Sequence, residues 1–104
     1  MLIVTSDQVD GKRITQTYGM VKGSAIRTRH IGRDIMASLR NLVGGEIPEY
    51  TKLMGEAREQ ALQRMIAEAE AKGCNAIVAM RMTTSMLMSG AAEILVYGTA
   101  VKVE

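Results

Sequence analysis

Apolar positions along this chain follow two periods, one of about two residues and one of about 3.6, and each change of period marks a new element. Leu2–Thr5 is a short β-branched run that suits a strand, and Asp10-Gly11 is a turn signal. From Arg13 to Arg27 the residues alternate loosely, with Ile14, Tyr18 and Met20 as apolar points and Thr15 and Thr17 between them. That pattern predicts a second strand, in which Gly19 and Gly23 suggest bulges or bends. The period then lengthens. Ile35, Met36, Leu39, Leu42 and Val43 recur at helical spacing, predicting a first helix from Arg33 to Val43 that stops at Gly44-Gly45.

A longer helix is expected to open near Pro48, which is tolerated at the first helical position, and to run to Lys72 before Gly73. Glu46 and Glu49 suit the positive end of its dipole. Tyr50, Leu53, Met54, Ala57, Ala61 and Met65 fall on one face, where Ala57 and Ala61 let another backbone come close. Arg64 and Glu68 share that stripe four residues apart and can pair. They lie either at its part-exposed end or at a contact between subunits.

The last third reads as a hairpin, with strands over Asn75–Leu87 and Glu93–Val103 around a turn at Ser89-Gly90. ILVYGTAV at 94–101 is apolar on both alternating faces, as a central strand covered on both sides should be. The predicted order is β-β-α-α-β-β. It forms one α+β domain over residues 1–104, with a mainly antiparallel sheet and two helices, one of them long.

Composition changes this picture in one respect. The 104 residues include nine Met and three Tyr but no Phe or Trp, so the core must be filled by aliphatic and thioether side chains. Met fills irregular gaps but specifies shape poorly, and a small domain with such a core is a candidate for extra burial by self-association. A single Cys rules out a disulfide within one chain. The N-terminal residues lack the basic lead and apolar run of a signal peptide, and no apolar stretch reaches the about 18 to 20 residues of a membrane span. A cytoplasmic protein with no membrane partner is expected.

Charge is spread unevenly. Residues 1–45 hold seven basic and three acidic residues, a net +4, and the remainder holds six and eight, a net −2. Arg27, Arg29, His30 and Arg33 form the one local concentration. They precede the first predicted helix, whose free N–H groups favour an anion. The plainer reading is a solvated basic loop, with Asp34 paired to a neighbouring Arg. Nucleic acid is not expected, because no stacking aromatics accompany these residues. His30 has no nucleophile or carboxylate motif beside it, so no enzyme is expected.

Soft donors offer a second candidate site. Met80, Met82, Met86 and Met88 lie close together, with Cys74 upstream. Thioether and thiolate suit Cu(I) and similar ions, and Met80 and Met82, two apart in a strand, point to one face. Against this, Arg81, Thr83 and Ser85 occupy the other face, giving the plain alternation of a half-buried strand. A lone buried Cys likewise behaves as a small hydrophobe. Without CxxC or HxxxH, a zinc site within one chain is not expected. In a ring, one ligand per subunit could still converge on the axis.

The chain resembles the YbjQ-like family, also called UPF0145 or DUF74, of small prokaryotic proteins. The matching residues are Gly19 and Gly23, Arg33-Asp34-Ile35, Gly44-Gly45-Glu46, Tyr50-Thr51, Arg58, Ala61 and Arg64-Met65. They continue through Gly73-Cys74-Asn75-Ala76-Ile77-Val78, Arg81, Glu93 and Tyr97-Gly98-Thr99-Ala100-Val101. The resemblance implies a dodecin-like α+β subunit that assembles as a homopentamer. It also implies the family's heavy-metal-binding label but brings no ligand set to carry over; the chain's own thioether and thiolate donors make a soft metal ion the expected cofactor. Two other functions stay open: a ring that binds a small anionic or aromatic ligand between subunits, and a purely structural or partner-binding assembly.

Overall fold

The computed structural model describes residues 1–28, 48–88 and 91–104. These form β1 (Leu2–Ile3), β2 (Ile14–Thr28), α1 (Pro48–Lys72), β3 (Ala76–Met88) and β4 (Ala91–Val103). The helix expected over 33–43 and the turn at Ser89-Gly90 lie outside the described residues, so one helix is described. The four strands make one mixed sheet in the order β1-β3-β4-β2. Only the short β1–β3 pairing is parallel; β3–β4 and β2–β4 are antiparallel.

β4 is the central strand, as its doubly apolar pattern predicts, and its buried residues include Ile94, Val96, Ala100 and Val101. On one face, Val21, Ala25, Ile77, Ile94, Val96 and Ala100 pack under Ala57, Ala61, Met65 and Ala69 of α1. At one end of the opposite face, Ala76, Val78, Val101 and Val103 form a smaller cluster, covered by Val4, Val9 and Ile14. The chain between β1 and β2 therefore acts as a strap over the sheet. The rest of that face leaves Met20, Ile26 and Tyr97 exposed.

Both ends of α1 fall where the sequence places them. Gly73, at φ +83°, takes the left-handed conformation that ends a helix, and its N–H bonds the Glu70 carbonyl at 3.0 Å. The two β2 glycines play different parts. Gly19 sits at a register shift, as a bulge requires. Gly23 does not: the pairing runs straight through Gly23–Val96, and the residue is small because the α1 backbone lies on it. Arg64 and Glu68 do not serve as the expected pair. Arg64 Nη1 donates to the Ser24 carbonyl at 2.6 Å, and Glu68 Oε2 accepts from the Lys22 N–H at 3.5 Å, so each ties the helix to β2.

Two features of β3 are not legible in the alternation. Asn75 replaces a stretch of ladder with its side chain, donating from Nδ2 to the Val103 carbonyl at 2.9 Å and accepting the Val103 N–H at 2.8 Å. Farther on, one extra residue is accommodated between Val78 and Arg81. The bulge puts Ala79 at φ +54°, a region that costs a non-glycine residue about 1–2 kcal/mol. The Ala79 N–H bonds the Ser6 carbonyl at 2.8 Å and the Met80 N–H bonds Val4 at 3.1 Å, so the strap holds the bulge in place. Ala79→Gly removes the Cβ strain but adds freedom to the unfolded chain, so a net gain of about 0.5–1 kcal/mol is expected. Urea unfolding checks it, and a loss of stability would show that the left-handed turn is not retained.

Candidate functional site

The bulge decides where the soft donors point. Met82 pairs with Val96 and Thr84 with Ile94, both core residues on the α1 side of β4. Met80 is partly buried against that same core. Met80 and Met82 therefore share the face on which the alternation placed them, although Val78, two residues earlier, belongs to the opposite cluster. Met82 is 44% exposed. A shallow depression of about 500 Å³, lined by Thr5, Met80, Arg81 and Met82, opens beside the two methionines. Its Arg81 is fixed: Nη1 donates to the Thr5 and Met80 carbonyls, both at 2.8 Å.

Cys74 takes a different position. It is buried in the main core, and its Sγ donates to the Ala69 carbonyl at 3.1 Å. The residue closes the end of α1 against β3. Among the described residues, no group of three or more His, Cys, Asp or Glu could hold a metal ion. The soft donors beside the depression are thus two thioethers, suited to a soft monovalent ion and unsuited to zinc or a hard divalent ion.

Of the basic candidates, Arg27 is described; Arg29, His30 and Arg33 lie outside the described residues. Arg27 pairs with Ala92 across β2 and β4 near the far end of the sheet. Its Nε is buried without a hydrogen-bond partner, which is costly for a guanidinium donor. Sequence reasoning singled out Arg27 for its neighbours in the chain. The unpartnered nitrogen is a separate observation and has no sequence signature.

With this geometry in hand, comparison with known proteins identifies the class. A family model described as "Putative heavy-metal-binding" matches residues 1–104. A UPF0145 protein of Methanosarcina acetivorans is 55% identical over 103 residues, covering 99% of this chain and 97% of that protein. Another, of Halalkalibacterium halodurans, is 55% identical over 104 residues, covering 100% of this chain and 98% of its own. The chain belongs to the YbjQ-like, UPF0145 family. A crystal structure of a DUF74-family protein of unknown function from Pediococcus pentosaceus superposes with a TM-score of 0.61 at 16% identity. It covers 100% of this chain and 98% of that one, and at that identity it supports the fold alone. Among the described residues, no helix is long and apolar enough to cross a membrane.

Proposed function

We propose that this protein is a homo-oligomeric, cytoplasmic module that binds a soft metal ion through thioethers. The observation that carries the reading is the Met80–Met82 pair, two soft donors on one face beside an open depression, in a chain whose family is described as heavy-metal-binding. Two thioethers hold a soft ion weakly, so this reading takes further donors from another copy. The subunit's shape supports association. Its radius of gyration is 17.3 Å and it extends 54 × 24 × 17 Å, against about 13 Å expected for a compact domain of this length. The specific assembly proposed is the homopentamer that the family resemblance implies, built from dodecin-like subunits. Cys74 is assigned to core packing, not to the metal.

Silver(I) titration of the purified protein tests the metal reading, because it is a soft monovalent probe that needs no reductant. Saturable uptake is expected in the parent and at least a tenfold weakening in the Met80→Leu/Met82→Leu double variant. No uptake, or uptake unchanged by the double substitution, sinks it. A small anion held between subunits is the competing reading, favoured by the unpartnered Arg27 Nε. Phosphate titration of the parent and of Arg27→Gln separates the two, since only the anion reading expects a difference.

A further inference from the structure

On the face of the sheet away from α1, strand register sets the side chains in rows. Val21 and Ala25 of β2 and Ile94, Val96 and Ala100 of β4 belong to the core beneath α1. The residues between them therefore point the other way. One row runs Lys22, Tyr97, Arg81 across β2, β4 and β3. The next runs Ser24, Leu95, Thr83, and the one after it Ile26, Glu93, Ser85. The apolar cover of the strap stops short of these rows, on Ala76, Val78, Val101 and Val103. Lys22, Ile26 and Tyr97 are exposed, and Leu95 and Glu93 are partly so.

The outer two rows carry opposite charge. Lys22 and Arg81 flank Tyr97, whereas Glu93 has no cation beside it in its own row. Four residues along the strand separate the two rows, about 13 Å, too far for Glu93 to pair with either cation of its own subunit. Among the described residues, neither the Lys22 ammonium nor the Glu93 carboxylate has a partner. A two-fold contact demands a self-complementary patch, and the charges select how this one is used. An axis running along the strands would set each row on its own copy, cation against cation. An axis running across the strands at Leu95 reverses the order and sets the Tyr97 row on the Glu93 row, twice. The second arrangement matches opposite potentials and the first opposes them.

We propose that two copies of this chain pack these faces together about an axis that crosses the strands at Leu95. Leu95 then meets Leu95 of the partner subunit at the centre. Tyr97 lies over Glu93 of the partner subunit and its hydroxyl donates to that carboxylate. The aliphatic stem of Lys22 covers the partner's Ile26, while its ammonium reaches the same Glu93. Arg81, fixed by the Thr5 and Met80 carbonyls, leaves its charge on the other side of Tyr97. Each Glu93 thus exchanges water for a hydroxyl and a cation, as a carboxylate must when it is covered. Aligned sheet packing supplies the geometry, with the two faces about 10 Å apart. The contact uses the face opposite the Met80–Met82 pair and stands independently of the metal reading.

Native mass spectrometry tests the contact and the ring separately. A two-fold contact on a five-membered ring gives ten subunits, which supports both. Two subunits support the sheet contact and overturn the ring; five support the ring and overturn the sheet contact. One subunit overturns both. Glu93→Lys sets a cation against the partner's Lys22 and Arg81 and is expected to halve the assembly, ten to five or two to one. An unchanged mass for this variant overturns the proposal. Lys22→Glu combined with Glu93→Lys reverses the pair and is expected to recover part of the parental assembly, which a merely misfolded Glu93→Lys chain would not predict. No recovery overturns the pairing. Leu95→Cys locates the axis, because facing positions about 10 Å apart suit a short bismaleimide rather than a disulfide. Covalent dimers joined 95 to 95, identified by peptide mass, are expected several-fold above those of Gln63→Cys, an exposed position on α1. Equal yields for the two variants overturn it.

Discussion

Gly23→Ala is expected to destabilise the protein by about 3 kcal/mol, at the upper end of what overpacking usually costs. For a domain of this size that lowers the thermal midpoint by about 12–24 °C. The sign runs against local propensity, because Gly to Ala inside a strand ordinarily gains about 0.5–1 kcal/mol. Sterics reverse it here. A Cβ on Gly23 would press on the Ala61 carbonyl oxygen, lie 2.5 Å from the Met65 nitrogen and 3.0 Å from the Arg64 Cβ. The first two are backbone atoms of α1, so no rotamer change relieves the contact. The helix must lift from β2, stretching the Arg64–Ser24 and Glu68–Lys22 bonds and opening the core beneath Ala57 and Ala61. Thermal unfolding at one fixed protein concentration measures it, since self-association makes the midpoint concentration-dependent. A midpoint equal to the parent's would mean that α1 is not seated on Gly23.

The same contact shows what could and could not be read from the chain. Ala57, Ala61 and Met65 announced a helix face that admits a close neighbour, and Gly23 announced an unusual strand position. Nothing local joined the two, because a glycine that makes a bulge and one that accepts a helix have the same sequence signature. Gly19 took the first role and Gly23 the second. The α1 limits were legible because Pro48 and Gly73 act through their own backbone preferences. The bulge at Ala79 was not, since alanine carries no preference for positive φ; the constraint comes from Ser6 and Val4, more than seventy residues earlier in the chain.

The candidate site was legible to a similar depth. Alternation put Met80 and Met82 on one face, and the structure keeps them there, although the bulge shifts the phase relative to Val78. The assignment of Arg64 and Glu68 to each other failed because i, i+4 spacing permits a pair without requiring one. Edge backbone groups of β2 offered both side chains partners that the sequence could not display. Which soft donor was accessible and which was core depended on burial, and composition alone treated Cys74, Met80 and Met82 alike.

Met65→Ala tests that division between core and surface methionines. Met65 is fully buried at the centre of the main cluster, and truncating such a side chain costs about 2–5 kcal/mol. About 3 kcal/mol is expected. Met82→Ala, at a position 44% exposed, should cost under about 1 kcal/mol, because little transfer energy and no enclosed cavity are at stake. Met65→Leu supplies the control: it nearly conserves volume and should cost less than about 1.5 kcal/mol. Urea unfolding of the three variants, with midpoints compared at a common slope, reads the differences directly. Equal losses for Met65→Ala and Met82→Ala would contradict the placement of Met65 beneath the helix. In a chain without Phe or Trp, the order Met65→Ala, then Met65→Leu, then Met82→Ala would show that methionine fills the volume an aromatic ring usually takes, leaving the β3 thioethers available for contacts outside the subunit.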